Sequence, residues 1–194
     1  MNLKMQFIKD NKKIELSNKE KLLKEISLMA LSNVQKNIAS NIKPENSPLT
    51  KAVKQGDKTL RDTGALMSSL HARTEKNTAI VATALPYAAI QNSGGEIKPV
   101  RAKYLYLPAS KDVRTLMRRY GFSVPSVING LRADGFSVWR QKDSRVVWYK
   151  SKKSRNKPKP LFFLKSSVKI PKREFMFLSE PTVEKIQQLL EVNC

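Results

Sequence analysis

The chain has 194 residues, with 37 Lys or Arg against 16 Asp or Glu, a formal charge of +21. At 40% hydrophobic and 27% charged residues it has a globular composition, long enough for one ordinary core with an elaboration. A single histidine (His71) and a single cysteine (Cys194) exclude a zinc site, a disulfide framework and a Cys/His nucleophilic pair built from the chain's own residues.

From the amino terminus, Met1 to Leu16 mixes apolar and basic residues without the apolar run of a secretory signal. No stretch reaches the roughly 20 apolar residues of a membrane span, so a soluble, intracellular protein is expected. Leu3, Met5 and Phe7 alternate, as do Ile14 and Leu16, which suggests a short strand pair. Ser17-Asn18-Lys19-Glu20 has the spacing of a capping box, and the apolar stripe Leu22, Leu23, Ile26, Ala30, Val34, Ile38 and Ile42 predicts a long helix ending before Pro44. A polar connection over 43–60 leads to a short helix opened by Thr63, with Leu66 and Leu70 turned to the core. His71 reads as a helix-end side chain. Ala79 to Ala84 reads as a strand, and Gly94-Gly95 as a turn needing positive φ.

The charge is uneven along this order. Residues 1–97 carry 15 basic and 9 acidic side chains, residues 98–172 carry 20 and 3, and residues 173–194 carry 2 and 4. The middle segment therefore projects the positive field, and its partner should be acidic. Its densest run, Lys150 to Lys159, holds Lys152, Lys153, Arg155, Lys157 and Lys159 and reads as a solvated loop with non-specific affinity for phosphates. An equally good reading is a charged surface that keeps an assembly subunit in solution.

Ahead of that loop, Lys111 to Tyr120 predicts a helix with Val113, Leu116, Met117 and Tyr120 inward and Gly121 as its stop, and Pro125 to Arg132 predicts a second. A hairpin follows, Phe136 to Arg140 and Arg145 to Lys150, turning at Gln141-Lys142-Asp143-Ser144. Helix, turn, helix and basic hairpin is the order of a winged-helix DNA-binding module, in which Arg118 and Arg119 would join the loop cations on phosphates. Decoration or subunit contact is the competing reading. Trp139 and Trp148, if brought near each other across such a hairpin, could stack on bases or pack on each other or on a neighbour. Tyr104 to Leu107 and Leu161 to Ile170 are further strands, the last with imperfect alternation, and a final helix starts at Ser179-Glu180-Pro181 with Val183, Ile186, Leu189 and Leu190 inward.

Catalytic patterns are missing from the sequence. Asp57, Asp62, Glu96, Asp112, Asp134 and Asp143 are scattered without the spacing of an acid/base pair, and neither a phosphate-binding loop nor a base beside Ser68 or Ser69 can be read. The expectation is a protein that is not an enzyme and takes no cofactor or metal.

Four stretches in order carry a resemblance: Ser47-Pro48-Leu49-Thr50; Leu60-Arg61-Asp62-Thr63-Gly64-Ala65-Leu66-Met67-Ser68-Ser69-Leu70; Tyr87-Ala88-Ala89-Ile90-Gln91-Asn92-Ser93-Gly94-Gly95; and Val168-Lys169-Ile170-Pro171-Lys172-Arg173-Glu174-Phe175-Met176-Phe177-Leu178-Ser179. The series resembles the virion morphogenesis proteins of Mu-like phages and prophages, the phage tail completion family, from about Ser17 to the carboxyl terminus apart from the basic insertion. The chain departs from it at Gln91-Asn92-Ser93, where members often have His-Gln-Phe, and at Lys172-Arg173-Glu174-Phe175, where they usually have Ala-Arg-Pro-Phe. The resemblance implies a structural protein of the neck or tail end that assembles into a ring with itself and with other phage tail or neck proteins, in the host cytoplasm and then in the virion. Tyr87, Arg173 and Phe175 are the expected subunit or partner contacts, Arg173 bridging to Asp62 or across a subunit boundary.

The fold expected is α+β: a long amino-terminal helix and a carboxyl-terminal helix on an antiparallel sheet of about four strands, residues 1–97 and 161–194, with 98–160 as an inserted basic lobe. The alternative to assembly is a DNA-binding module centred on that lobe, and weaker still is an enzyme acting on nucleic acid. No membrane contact is expected.

Overall fold

A computed structural model describes residues 2–6, 19–54, 56–153 and 155–193. Its elements in chain order begin with β1 (Asn2–Gln6), α1 (Lys19–Ala39), α2 (Pro48–Val53), α3 (Ala65–Ser68), β2 (His71–Glu75) and β3 (Thr78–Ala82). They continue with α4 (Ala88–Ser93), β4 (Gly95–Ile97), β5 (Leu105–Pro108), α5 (Lys111–Tyr120) and α6 (Val124–Ala133). The last are β6 (Phe136–Arg140), β7 (Val146–Ser151), β8 (Lys159–Lys165), β9 (Val168–Ile170) and α7 (Glu180–Val192). The fold is α+β, with every pairing in its three- and four-stranded sheets antiparallel. Among the described residues no helix is long and apolar enough to cross a membrane.

The chain forms two compact units, one from 1–45, 58–95 and 171–194, the other from 46–57 and 96–170. These limits differ from a basic lobe cut at 98–160. Residues 161–170 belong with the basic segment because β8 pairs with both β5 and β7.

In the first unit β3 is the middle strand of β1-β3-β2, which explains why Ala79, Ile80, Val81 and Ala82 are all buried. The α1 stripe supplies Leu22, Ile26, Ala30, Val34 and Ile38, which pack with Ala79 and Val81. α7 closes the same layer through Ile186, Leu189 and Leu190, while Val183, expected to face inward, stands 36% exposed. The sheet under these two helices thus has three strands, and the four-stranded sheet lies in the other unit. The expected capping residues Ser17 and Asn18, and Ile14 and Leu16 of the expected strand pair, lie outside the described residues; the first half of that pair exists as β1 and bonds to β3. His71 ends no helix but opens β2, which turns into β3 through Lys76 at φ 51° and Asn77.

In the second unit α5 and α6 cover one face of the sheet β5-β8-β7-β6. Val113, Val127 and Leu131 from the helices meet Val147, Tyr149, Leu161, Phe162 and Leu164 from the strands. Both helices have serine caps: Ser110 Oγ accepts from Val113 N at 3.4 Å, and Ser123 Oγ from Ser126 N at 3.2 Å. The uneven alternation of 161–170 has a physical cause. Val147 pairs with Phe162 but Trp148 with Pro160, so Leu161 is an extra residue in β8, and both Leu161 and Phe162 become buried. Residues 166–167 then break the run, and β9 pairs with β4.

Candidate functional site

Two groups of residues bear on function, one in each unit. In the first, the segment 171–179 is irregular, so its backbone polar groups have no ladder to join. Asparagine side chains take that role. Asn92 Oδ1, from α4, accepts from the Phe175 and Met176 amides at 3.0 Å each. From α1, Asn37 Nδ2 donates to the Phe175 carbonyl at 3.0 Å and Asn33 Nδ2 to the Phe177 carbonyl at 2.6 Å. Asn33 Oδ1 then accepts from the Ser179 and Thr182 hydroxyls at 2.6 and 2.9 Å, which ties the start of α7 to α1.

This clamp delivers Phe175, fully buried, into a core with Leu66, Leu70, Ala88 and Met176. Arg173 is 6% exposed. Its Nε donates to the Pro44 carbonyl at 2.7 Å, Nη2 to the Glu45 carbonyl at 3.0 Å and Nη1 to Gln91 Oε1 at 3.5 Å. These neutral acceptors, rather than the Asp62 carboxylate, hold it, and burial pulls the guanidinium below its ordinary pKa. Arg173 and Phe175 are therefore internal braces, not the surface contacts expected of them. Tyr87 does reach the surface, 43% exposed at the start of α4. Gly94 and Gly95 end that helix with φ 72° and 152°, conformations open to glycine.

The second group is basic. The second unit holds 21 Lys or Arg and 5 Asp or Glu. Asp134 links the end of α5 to the start of β6: its carboxylate accepts from Tyr120 Oη and pairs with Arg119 Nη2 at 3.1 Å. That hydrogen bond holds the Tyr120 phenol above its usual pKa. Next to it, the Gly135 carbonyl accepts from Lys152 N at 3.1 Å. The helix-end arginines and the first lysines of the basic loop are thereby placed at one end of the unit. Arg118, Arg119, Lys152, Lys153, Arg155, Lys157 and Lys159 are all exposed, and only Arg119 among them has an ion-pair partner among the described residues.

Beside this end opens a cavity of about 440 Å³, with Phe136 and Tyr149 as aromatic walls and Asp112, Thr115, Lys157 and Lys159 around it. The two rings lie 6.0 Å apart at 41°. Burial, and then the Asp112 charge, push the Tyr149 phenol up, so its hydroxyl keeps its proton at neutral pH.

The hairpin does not stand alone: β7 is bonded on both edges, to β6 and β8, and so belongs to the helix-covered four-stranded sheet. Trp139 and Trp148 are direct cross-strand partners. Comparison with protein-family models, with curated proteins and with solved structures finds no match to this chain.

Proposed function

We propose that this chain is a structural virion morphogenesis subunit of a phage or prophage, acting in head-to-tail joining or tail completion by ring assembly rather than by catalysis. The observation that carries the reading is the convergence of three of the four resembling stretches. Leu66 and Leu70 of the second, Ala88 and Asn92 of the third, and Arg173, Phe175 and Met176 of the fourth meet in one core and one hydrogen-bonded clamp, although they are separated by up to about 110 residues of chain. Residues that recur as motifs for structural reasons should meet in this way, since each stretch closes the next. Asn92 stands where members of the resembling family often have a glutamine. The first stretch, Ser47 to Thr50, forms the capped start of α2, with Ser47 Oγ accepting from Thr50 N at 3.3 Å and Pro48 in the first turn.

In such a subunit the clamp fixes the framework, and contact between neighbours falls to side chains left outside it, Tyr87 first among them. A repeated head-to-tail contact closes into a ring when its rotation divides a full turn. Light scattering and electron microscopy test this directly, with the protein alone and mixed with candidate phage portal and tail proteins. A ring-sized particle is expected, and Tyr87→Glu should reduce it to monomer while leaving the circular dichroism unchanged. A chain that stays monomeric with those partners supplied overturns the reading.

A further inference from the structure

We propose that the loop end of the second unit is a single-stranded nucleic-acid site: its lysines and arginines take backbone phosphates, and one unpaired base enters the cavity walled by Phe136 and Tyr149. This goes beyond the assembly role and does not rest on it.

Three observations converge. The first is a set of free cations. Arg118, Lys152, Lys153, Arg155, Lys157 and Lys159 are exposed and unpaired among the described residues, and Lys157 and Lys159 stand on the cavity itself. Phosphates neutralise such groups with release of counterions, which makes the affinity salt-dependent and blind to sequence.

The second is the shape and lining of the cavity. A space of about 440 Å³ lies within the range of sites for small molecules, and the half-buried ring of Phe136, 6.0 Å from the buried ring of Tyr149, offers a π-face of the kind on which bases stack. Tyr149 lines the cavity, and its hydroxyl makes no hydrogen bond to another described residue.

The third is the division of charge. Asp112 and Thr115 face the cavity from α5, while Lys157 and Lys159 face it from the loop before and at the start of β8. A carboxylate repels phosphate and accepts from an exocyclic amino group. A nucleotide therefore has one favourable orientation, base toward α5 and phosphate toward the lysines. Duplex DNA keeps its bases stacked and can use only the lysines.

Fluorescence anisotropy with a short labelled oligonucleotide of mixed sequence, and with the blunt duplex of the same sequence, at two salt concentrations, tests the proposal. The single strand should bind about fivefold or more tighter than the duplex, the lower end of what stacking one base supplies. Thr115→Met reaches into the cavity from an exposed helix position that the core does not need and, unlike an aromatic ring, adds no stacking face. It should erase the margin between strand and duplex and leave the salt slope as it was. Replacing Lys157 and Lys159 with Ala should weaken both ligands and reduce the slope by about 0.7 for each phosphate of the single strand that is no longer neutralised. Equal affinity for strand and duplex, unmoved by Thr115→Met, would mean attraction by charge alone and would overturn the base site. An unchanged affinity and slope in the double lysine variant would overturn the phosphate site.

Discussion

The carboxamide oxygen of Asn92 accepts two amide protons from a segment more than 80 residues away, and both amides are buried. Asn92→Ala strands those donors, at about 1–3 kcal/mol each, so the first unit should lose about 2–6 kcal/mol of stability. A urea titration followed by circular dichroism reads the loss as a lower midpoint at constant slope. A loss under about 1 kcal/mol would show that water replaces the side chain without cost. None of this is legible in the sequence. Asn33 and Asn37 look like the polar flank of an amphipathic helix, and spacing alone does not reveal which distant carbonyls they serve. Arg173 stands out in the sequence as a residue of consequence, but its positive charge suggests a carboxylate partner. The acceptors turn out to be backbone carbonyls of Pro44 and Glu45, groups that a one-dimensional reading of charge passes over. Phe175 reads as a contact because its stretch is distinctive, whereas distinctive aromatic residues most often fill cores.

At the scale of elements, legibility follows local signals. α5, α6, β6 and β7 are all readable, because apolar spacing, capping serines and glycine stops agree with one another there. β2 escapes because His71-Ala72-Arg73-Thr74-Glu75 has no apolar alternation; its strand exists by pairing with β3. α2 and α4 span 6 residues each, too short for a periodic stripe, although Ser47-Pro48 is a legible cap and first turn. The packing of α5 on α6 depends on one small residue. A Cβ at Gly130 would lie 2.3 Å from Tyr120 Cδ1 and 2.5 Å from its Cγ, atoms near the root of a ring that cannot swing away without moving α5. Gly130→Ala should therefore destabilise the second unit by about 1–3 kcal/mol, despite the better helix propensity of alanine. Thermal unfolding of this variant would show it, and an unchanged or raised Tm would mean that Tyr120 moves aside freely.

For the whole molecule, the α+β class and the concentration of charge in the middle segment are legible, but the unit boundaries are not. Membership of β8 in the second unit is decided by which strands it bonds to, and pairing partners leave no mark on the local pattern. The same division settles how the protein can be observed. Both tryptophans, Trp139 and Trp148, belong to the second unit, so indole emission is a reporter for that unit alone. Leu131→Ala opens a void in that unit's core and should cost about 2–5 kcal/mol. Its denaturation curve followed by tryptophan fluorescence should move to lower urea, and an unmoved curve would show that the core collapses to fill the gap. The remaining unit is optically dark in this band. A substitution of one of its residues by tryptophan would supply a second lamp, and the two melting histories could then be watched side by side in a single cuvette.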